Sequence, residues 1–419
     1  MLPKYLYFLI AVAAAYPARA LAQDAQYELG GHVKGRLLGQ YFPDNSAFHQ
    51  IAGSESVDTE SDLRLNFTAR KGDWSFETDY QLFAGYGDRI DPAGLLPGGP
   101  AGRLPNDDRR FFNLTSAIDD DGKFVVLHRL DRLWLGYASD KTVVRFGRQA
   151  LSWGNGLIYS PMDLVNPFDP ATIDTEYKAG EDMLYGQYLR DNGHDIQFAY
   201  VIRRDVLSGD VEFDASSVAL KYHGIAGDAE YDLLVASNYG DTTIGIGGNH
   251  NVGGAVWRGD LVLTDASSGT EAQLVTSLSY SWTWGGKNVS GIVEYYFDGF
   301  GQGNGRYDTS NLAQNPELLQ RVLRGQSFTI GRHYLAGAMT IEMTPLWTLT
   351  PTLFANIEDP SGLLQVVTRN NLADNMEFIG ALNVPLGPDG SEYGGIALNT
   401  PGVYLSTDAS LFAQLAWYF

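Results

Sequence analysis

The sequence predicts an all-β fold, a transmembrane antiparallel β-barrel of about 18 strands, with about 16 as the alternative count. Three observations lead there. Apolar and polar residues alternate with period two through most of the chain. Tight turns and long loops follow strands in alternation. The last nine residues, LFAQLAWYF, form an unbroken alternating strand that ends on Phe419. A strand with one apolar-aromatic face suits lipid, where any open sheet edge must be paired.

In chain order, the predicted strands are 27–42, 60–71, 73–86, 124–139, 142–152, 181–190, 194–205, 213–224, 227–239, 241–250, 254–264, 270–284, 288–300, 332–344, 346–358, 361–370, 373–386 and 408–419. In the second, Leu63, Leu65, Phe67 and Ala69 alternate with Asp62, Arg64, Asn66 and Thr68. In the third, Trp74, Phe76, Tyr80, Leu82 and Tyr86 alternate with Ser75, Glu77, Asp79 and Gln81. The seventh sets Ile196, Phe198 and Tyr200 against Asp195 and Gln197. The twelfth sets Leu274, Leu278, Tyr280 and Trp282 against Gln273, Ser277, Ser279 and Ser281. One set faces lipid and the other a wet interior.

The connections test this independently. Even-numbered strands end in tight turns such as Lys71-Gly72-Asp73, Asp140-Lys141, Gly253-Gly254 and Gly285-Gly286-Lys287. Most odd-numbered strands lead into longer segments: 43–59, 87–123, 153–180, 265–269, 301–331 and 387–407. Short periplasmic turns opposite long extracellular loops are the expected asymmetry of outer-membrane barrels. An even strand count puts both termini on the periplasmic side.

The other end of the chain agrees. Lys4, the apolar run YLYFLIAVAAAY and the small residues Ala20 and Ala22 have the layout of a secretory signal peptide. Residues 1–22 are therefore expected to be the signal peptide and 23–419 the barrel, placed in the bacterial outer membrane. The chain has no cysteine, which excludes disulfides, thiolate metal sites and Cys nucleophiles. Beyond the leader no apolar run is long enough for a membrane helix. The net charge of −21 speaks against nucleic-acid binding.

One segment reads as a motif: RFGRQALSWGNGLIYSPMDLVNPFDP, residues 145–170. Gly154-Asn155-Gly156 allows a sharp turn, and Pro161, Pro167 and Pro170 stiffen the chain beyond it. Trp153, Leu157, Ile158, Tyr159, Met162, Leu164, Val165 and Phe168 are too apolar for a loop in open water. The segment is expected to fold inward and narrow a pore; the alternative is a loop that caps the barrel mouth. At this point the chain resembles porin-like outer-membrane barrels that include the alginate-export family and related uncharacterised families. The matching positions are Gly147, Arg148, Gln149, Trp153, Gly154, Gly156, Asn166, Pro167 and Asp169. The resemblance implies an 18-stranded barrel with an arginine-rich lumen that passes an anionic polysaccharide. This chain departs in carrying 50 acidic residues against 29 basic ones.

The inward set carries both signs: Arg64, Arg70, Arg203, Lys221 and Arg258, with Glu77, Asp79, Glu230, Asp232, Asp260, Glu294 and Glu342. Rings of charge set selectivity in pores; the bland reading is wall charges that pair and hold the barrel's shape. Arg132, Arg145 and Arg148 form a candidate basic patch. A three-residue turn at 139–141 sets Arg132 opposite Arg148, and a two-residue turn sets it opposite Gln149. The expected lining or constriction residues are Arg64, Arg132, Arg145, Arg148, Trp153, Asp163, Asp169 and Arg258.

The function expected is passive diffusion or export of polar solutes, including anionic ones, or saccharides. The alternative is a conduit or scaffold that works with periplasmic transport partners. A third reading is an outer-membrane hydrolase using His128 and Ser152, but no third group to orient the histidine is evident. No catalytic residue, metal site or cofactor is expected, since the seven histidines show no paired ligand spacing. Asp107-Asp108 and Asp119-Asp120-Asp121 read as solvated loop tips or as cation bridges to lipopolysaccharide. The expected partners are outer-membrane lipid, lipopolysaccharide, a small polar solute and, through Phe419, the barrel-assembly machinery.

Overall fold

A computed structural model describes residues 25–90, 104–303, 305 and 307–419. The expected signal peptide lies outside the described residues.

Eighteen strands close the barrel: β1 (Ala25–Tyr41), β2 (Glu55–Lys71), β3 (Trp74–Tyr86), β4 (Phe124–Ala138), β5 (Thr142–Gln149), β6 (Glu181–Leu189), β7 (Asp195–Val201), β8 (Ser217–Ala226), β9 (Ala229–Asn238), β10 (Asp241–Val252), β11 (Ala255–Ala266), β12 (Gly269–Trp284), β13 (Lys287–Asp298), β14 (His333–Thr344), β15 (Trp347–Asn356), β16 (Ser361–Ala373), β17 (Met376–Leu386) and β18 (Ser410–Tyr418). Each pairs antiparallel with its chain neighbours. β1 and β18 complete the circle, from His32 opposite Tyr418 to Gln40 opposite Ser410. Phe419 extends the seam through reciprocal backbone bonds with Gly31. A Cβ on Gly31 would lie 2.1 Å from the Arg64 carbonyl and about ring-contact distance from Phe419. Glycine is therefore what lets the terminal aromatic close the wall here.

The count settles on 18, and the short-turn and long-loop asymmetry is present. Three odd-numbered connections are nevertheless short: Tyr239-Gly240, Ser267-Ser268 and residues 357–360. β7 stops at Val201, earlier than its pattern suggested, because Arg203 and Arg204 turn away to bridge with Arg110 and Val211. Within the predicted loop 87–123, Thr115–Asp121 forms an accessory strand. It pairs with the upper part of β4, the edge that β5 leaves bare above Arg148. Asp119, Asp120 and Asp121 are exposed on it.

The two faces sort as alternation requires. Leu29, Leu37, Leu135, Phe146, Leu233, Ile246, Leu278, Val293 and Leu415 project outward and are exposed. Trp74, Tyr137, Tyr188, Trp284 and Trp347 sit beside short turns and are also exposed, as an interfacial aromatic belt would be. The inner face is charged and amide-rich, yet much of it is buried, because a loop fills the lumen. Three short helices lie in the long loops: α1 (Ala47–Ala52), α2 (Thr309–Ala313) and α3 (Pro316–Leu323).

Candidate functional site: a loop that lines the lumen

Residues 150–180 leave β5 and enter the barrel. Their course can be followed through the wall residues they touch. Trp153 donates its indole N–H to Gln197 of β7 at 2.7 Å. Asn155 reaches Asp232 of β9 and Asp260 of β11 at 3.1 and 2.8 Å. The backbone N–H groups of Asn155 and Gly156 also point at Asp260. Those of Leu157, Ile158 and Tyr159 converge on the Glu294 carboxylate of β13, at 2.8, 3.0 and 2.6 Å. This convergence needs a turn so tight that a Cβ on Gly156 would meet the Tyr159 carbonyl at 1.9 Å. Tyr159 then stacks on Tyr296, rings 4.6 Å apart and 7° from parallel.

From there the chain doubles back. Met162 packs among Ala199, Ala219, Leu234, Ala236 and Val262 of the same wall. Val165 packs against Met183, Tyr185 and Val201, and Asn166 binds Glu181 at the start of β6. Pro167–Pro170 then carry the chain across the lumen, for Ala171 and Ile173 next meet Gln365 and Arg369 of β16 through their carbonyls, both at 2.8 Å. Asp174 takes Lys34 of β1 at 2.7 Å and Arg36 at 3.3 Å. Glu176 accepts from Lys34 and from the Tyr418 hydroxyl of β18. Arg64 of β2 lies 4.1 Å from the Tyr177 ring, and Arg132 of β4 donates to the Lys178 carbonyl.

Lys178 ties the two ends of the loop together. Its ammonium donates to the Leu151 carbonyl, the Ser152 hydroxyl and Asp163, at 2.5, 3.0 and 2.5 Å. Burial pushes the Asp163 carboxyl up to about 6 against the pull of Lys178. The same burial lowers Lys178.

The expected site residues do not gather into one site. Arg64 and Arg132 meet in one cluster on Asp131, at 3.0 and 2.9 Å, with Arg129 on its other oxygen at 2.9 Å. A β-bulge creates this cluster: Asp79 faces Arg132 and Tyr80 faces Leu130, so Asp131 is the extra residue. Trp153 and Asp163 belong to the loop's own packing. Asp169 lines open space at the crossing, and burial pushes its carboxyl up to about 6. Arg145 stacks near Trp134 at 4.9 Å, and Arg258 binds Ser279 at 2.9 Å.

Arg148 and Arg132 are not opposite one another in the strand register. Leu133 opposite Arg148 is the register that a turn bringing Arg132 toward Gln149 produces. By parity Arg148 shares a face with the lipid-exposed Val144 and Phe146, yet it is 1% exposed. Asp182 grips it at 2.9 Å and Asp107 at 2.9 Å, and residues 107–114 lie over it. The expectation that Arg148 lines the channel is thus corrected: it clamps a loop to the wall. His128 and Ser152 are not brought together either. His128 packs its ring against Tyr80 on the outer face, and Ser152 binds Lys178.

Above the crossing lies a cavity of about 970 Å³. Five arginines line it, Arg109, Arg110, Arg129, Arg203 and Arg324, against the four carboxyls of Asp108, Asp169, Glu181 and Glu392. Glu392 accepts from Ile330 N–H, Tyr334 and Asn356, and burial pushes it up to about 7. At neutral pH Glu392 is therefore only partly ionised, and arginines outnumber carboxyls on the lining of the cavity. Among the described residues no helix is long and apolar enough to cross a membrane, and no group of His, Asp and Glu has the geometry of a metal site.

No family model matches the sequence, and no curated protein matches it. Solved structures do. OccAB3 of Acinetobacter baumannii superposes with a TM-score of 0.55 at 8% identity, over 94% of this chain and 99% of that one. OccK9 (OpdG) of Pseudomonas aeruginosa gives 0.54 at 10%, over 94% and 98%. A BenF-like porin from Pseudomonas fluorescens gives 0.52 at 10%, over 95% and 99%. The likeness is one of fold: nearly the whole chain forms the 18-stranded barrel of outer-membrane porins.

Proposed function

We propose that this protein is an outer-membrane channel for passive diffusion of small polar solutes, with a preference for anions. The observation that carries the reading is a cavity whose lining holds more arginines than carboxyls, above a loop that spans the lumen. The porin fold, the apolar outer face with its aromatic belt and the closed seam support a place in the outer membrane. The leader at residues 1–22 and the terminal Phe419 suit secretion and recognition by the assembly machinery. Export of a long anionic polysaccharide, implied by the resemblance to the alginate-export family, suits this lumen less well, since the loop packs on both halves of the wall and crosses between them.

The direct test is a planar bilayer under a KCl gradient. An anion-selective reversal potential, with faster liposome entry of small carboxylates than of matched cations, is the expected result. A cation-selective or non-conducting barrel would remove the proposal.

A further inference from the structure

The second leg of the lumen loop, residues 174–177, docks over a buried histidine. His32 lies on the inner face of β1, opposite Arg64 of β2 and Tyr418 of β18. It is 1% exposed, and neither ring nitrogen has a hydrogen-bond partner among the described residues. Its ring is closed in by the ring of Tyr177 from the loop, 5.3 Å away between centroids, and by that of Tyr418 at 5.9 Å. Two neighbours share the defect. Asp62, opposite Lys34, has one carboxylate oxygen without a partner, and Arg64 has its Nε–H without one. Buried polar groups are normally satisfied, so three such residues on adjoining positions mark a place where the docked loop is a costly cover.

The charged and titratable groups around His32 come from every element packed on it. On β1 they are Lys34 and, further down the same face, Glu28, which Arg70 of β2 holds at 3.2 Å. From β2 come Asp62, whose other oxygen accepts from Gln81 at 2.6 Å, and Arg64, held by Asp79 and Asp131 at 3.4 and 3.0 Å. β18 brings Tyr418 and, at the next rung, the chain-terminal carboxyl of Phe419, which accepts from the Gly31 N–H at 3.0 Å. The loop brings Tyr177, Asp174 and Glu176; Lys34 takes both carboxylates, at 2.7 and 2.6 Å, and the Tyr418 hydroxyl donates to Glu176 at 2.9 Å. None of these carboxylates is bonded to His32. A proton added to the ring would put a third cation beside Lys34 and Arg64 in a space closed to water, where an unpaired charge is expensive. Lifting residues 174–177 removes that cost, because the ring then meets solvent. The raised leg therefore binds the proton better than the docked one, and by linkage a falling pH favours it.

We propose that His32 is a proton-operated latch on the lumen loop: when neutral it lets residues 174–177 dock on β18, β1 and β2, and when protonated it lifts them and widens the lumen. The first leg stays in place, since residues 155–159 hold to Asp260 and Glu294 on the other half of the wall. The latch rests on the reading of the protein as a channel and adds a control to it; it does not depend on the preference for anions.

The test uses the full-length purified barrel in a planar bilayer at about 1 M KCl, where surface fields are screened within about 3 Å. Both sides are taken from pH 7 to pH 4 and back. Native single-channel conductance is expected to rise reversibly by at least about one half over that range. His32→Gln keeps a neutral, hydrogen-bonding side chain and leaves every carboxyl of the lumen in place; it is expected to lose most of the rise. His32→Asn is a second neutral replacement for the same comparison. Glu176→Gln weakens the hold of Lys34 and Tyr418 on the leg and is expected to show raised conductance already at pH 7. Heat-modifiable gel migration confirms that each variant is folded. An equal rise in the native barrel and the two neutral variants would overturn the latch and assign the response to the carboxyls. A native conductance that stays flat with pH would also overturn it and leave the channel reading standing, whereas a barrel that conducts at no pH would overturn both.

Discussion

The two halves of the barrel wall hold the same loop with opposite chemistry. From β9 to β13 the wall is acidic: Asp232, Asp260 and Glu294 accept hydrogen bonds from the loop, chiefly from backbone N–H groups of residues 155–159. From β16 round to β4 the wall donates: Gln365, Arg369, Lys34, Arg36 and Arg132 meet loop carbonyls and the carboxylates of Asp174 and Glu176. A backbone offers a donor and an acceptor at each residue, so one loop satisfies both walls. Wall charges therefore do not translate directly into pore selectivity. Glu294 is fully buried and its charge is occupied by N–H groups of the loop.

The acidic half should be the easier to break. Glu294→Ala strips the acceptor from three backbone N–H groups at once. Hydrogen bonds to a charged acceptor are worth about 1.5–3 kcal/mol each, and buried donors left unsatisfied add to the loss. The expected cost is roughly 3 kcal/mol or more, with Tyr159 leaving Tyr296 and single-channel conductance rising at least about twofold. Conductance traces and thermal unfolding check this; an unchanged conductance would mean that the packing of Met162 and Val165 holds the loop alone.

The junction between the halves is the next test. Lys178→Met leaves the buried Asp163 carboxylate without its ammonium and frees Leu151 and Ser152. Breaking one partner of a buried pair costs about 3–5 kcal/mol, and replacing both by apolar residues restores much of that. Open-channel noise should therefore rise in Lys178→Met and fall back in the double change with Asp163→Leu. Equal noise in the single and double variants would show that the pair does not close the loop.

These contrasts explain what the sequence revealed and what it hid. Strand positions were legible because lipid on one side and a polar lumen on the other force period two, and all eighteen predicted spans have a strand. The 145–170 motif was legible because so apolar a segment has no place in a hydrated loop. Arg148 misled because parity places it on the outer face, where only the fold of residues 107–114 could bury it. Glu294 was visible as an inward acid, but its partners are backbone groups that carry no sequence signal. Lys178 left a faint one, as a lysine near the end of the loop. Arg203, Arg324 and Tyr239 come from three separate connections, and nothing in their spacing foretells that they meet.

The cavity makes the comparison sensitive to pH. Asp169 and Glu392 are held up to about 6 and about 7 by burial. Below pH 5 both are neutral and the arginines dominate; by pH 8 both are charged. Anion selectivity should fall across that interval, by about twofold in permeability ratio, as two charges are added to a cavity with five arginines. The sign for stability is the same: carboxyls whose folded pKa is raised favour the fold below their unfolded pKa near 4, and that gain is lost as pH rises through 6 and 7. Reversal potentials at pH 5 and pH 8 decide it. Glu392→Gln should flatten part of the dependence, and a selectivity that rises with pH would contradict the charge assignment.

The donor half should yield the smallest effect, because its work is divided. Arg369 offers one bond, to the Ile173 carbonyl at 2.8 Å, while its other nitrogen pairs with Glu377 at 3.5 Å. Its side chain is 36% exposed, so solvent screens that pair and little of it carries over to stability. When Arg369→Gln is made, water or the new amide can satisfy the carbonyl, while Gln365, Lys34 and Arg36 keep their hold on the loop. The expected cost is below about 1 kcal/mol, with a conductance change of tens of percent and not severalfold. A loss as large as that of Glu294→Ala would show that the two halves share the load equally; a small one places the main anchorage on the acidic wall, where three amides converge on a single carboxylate.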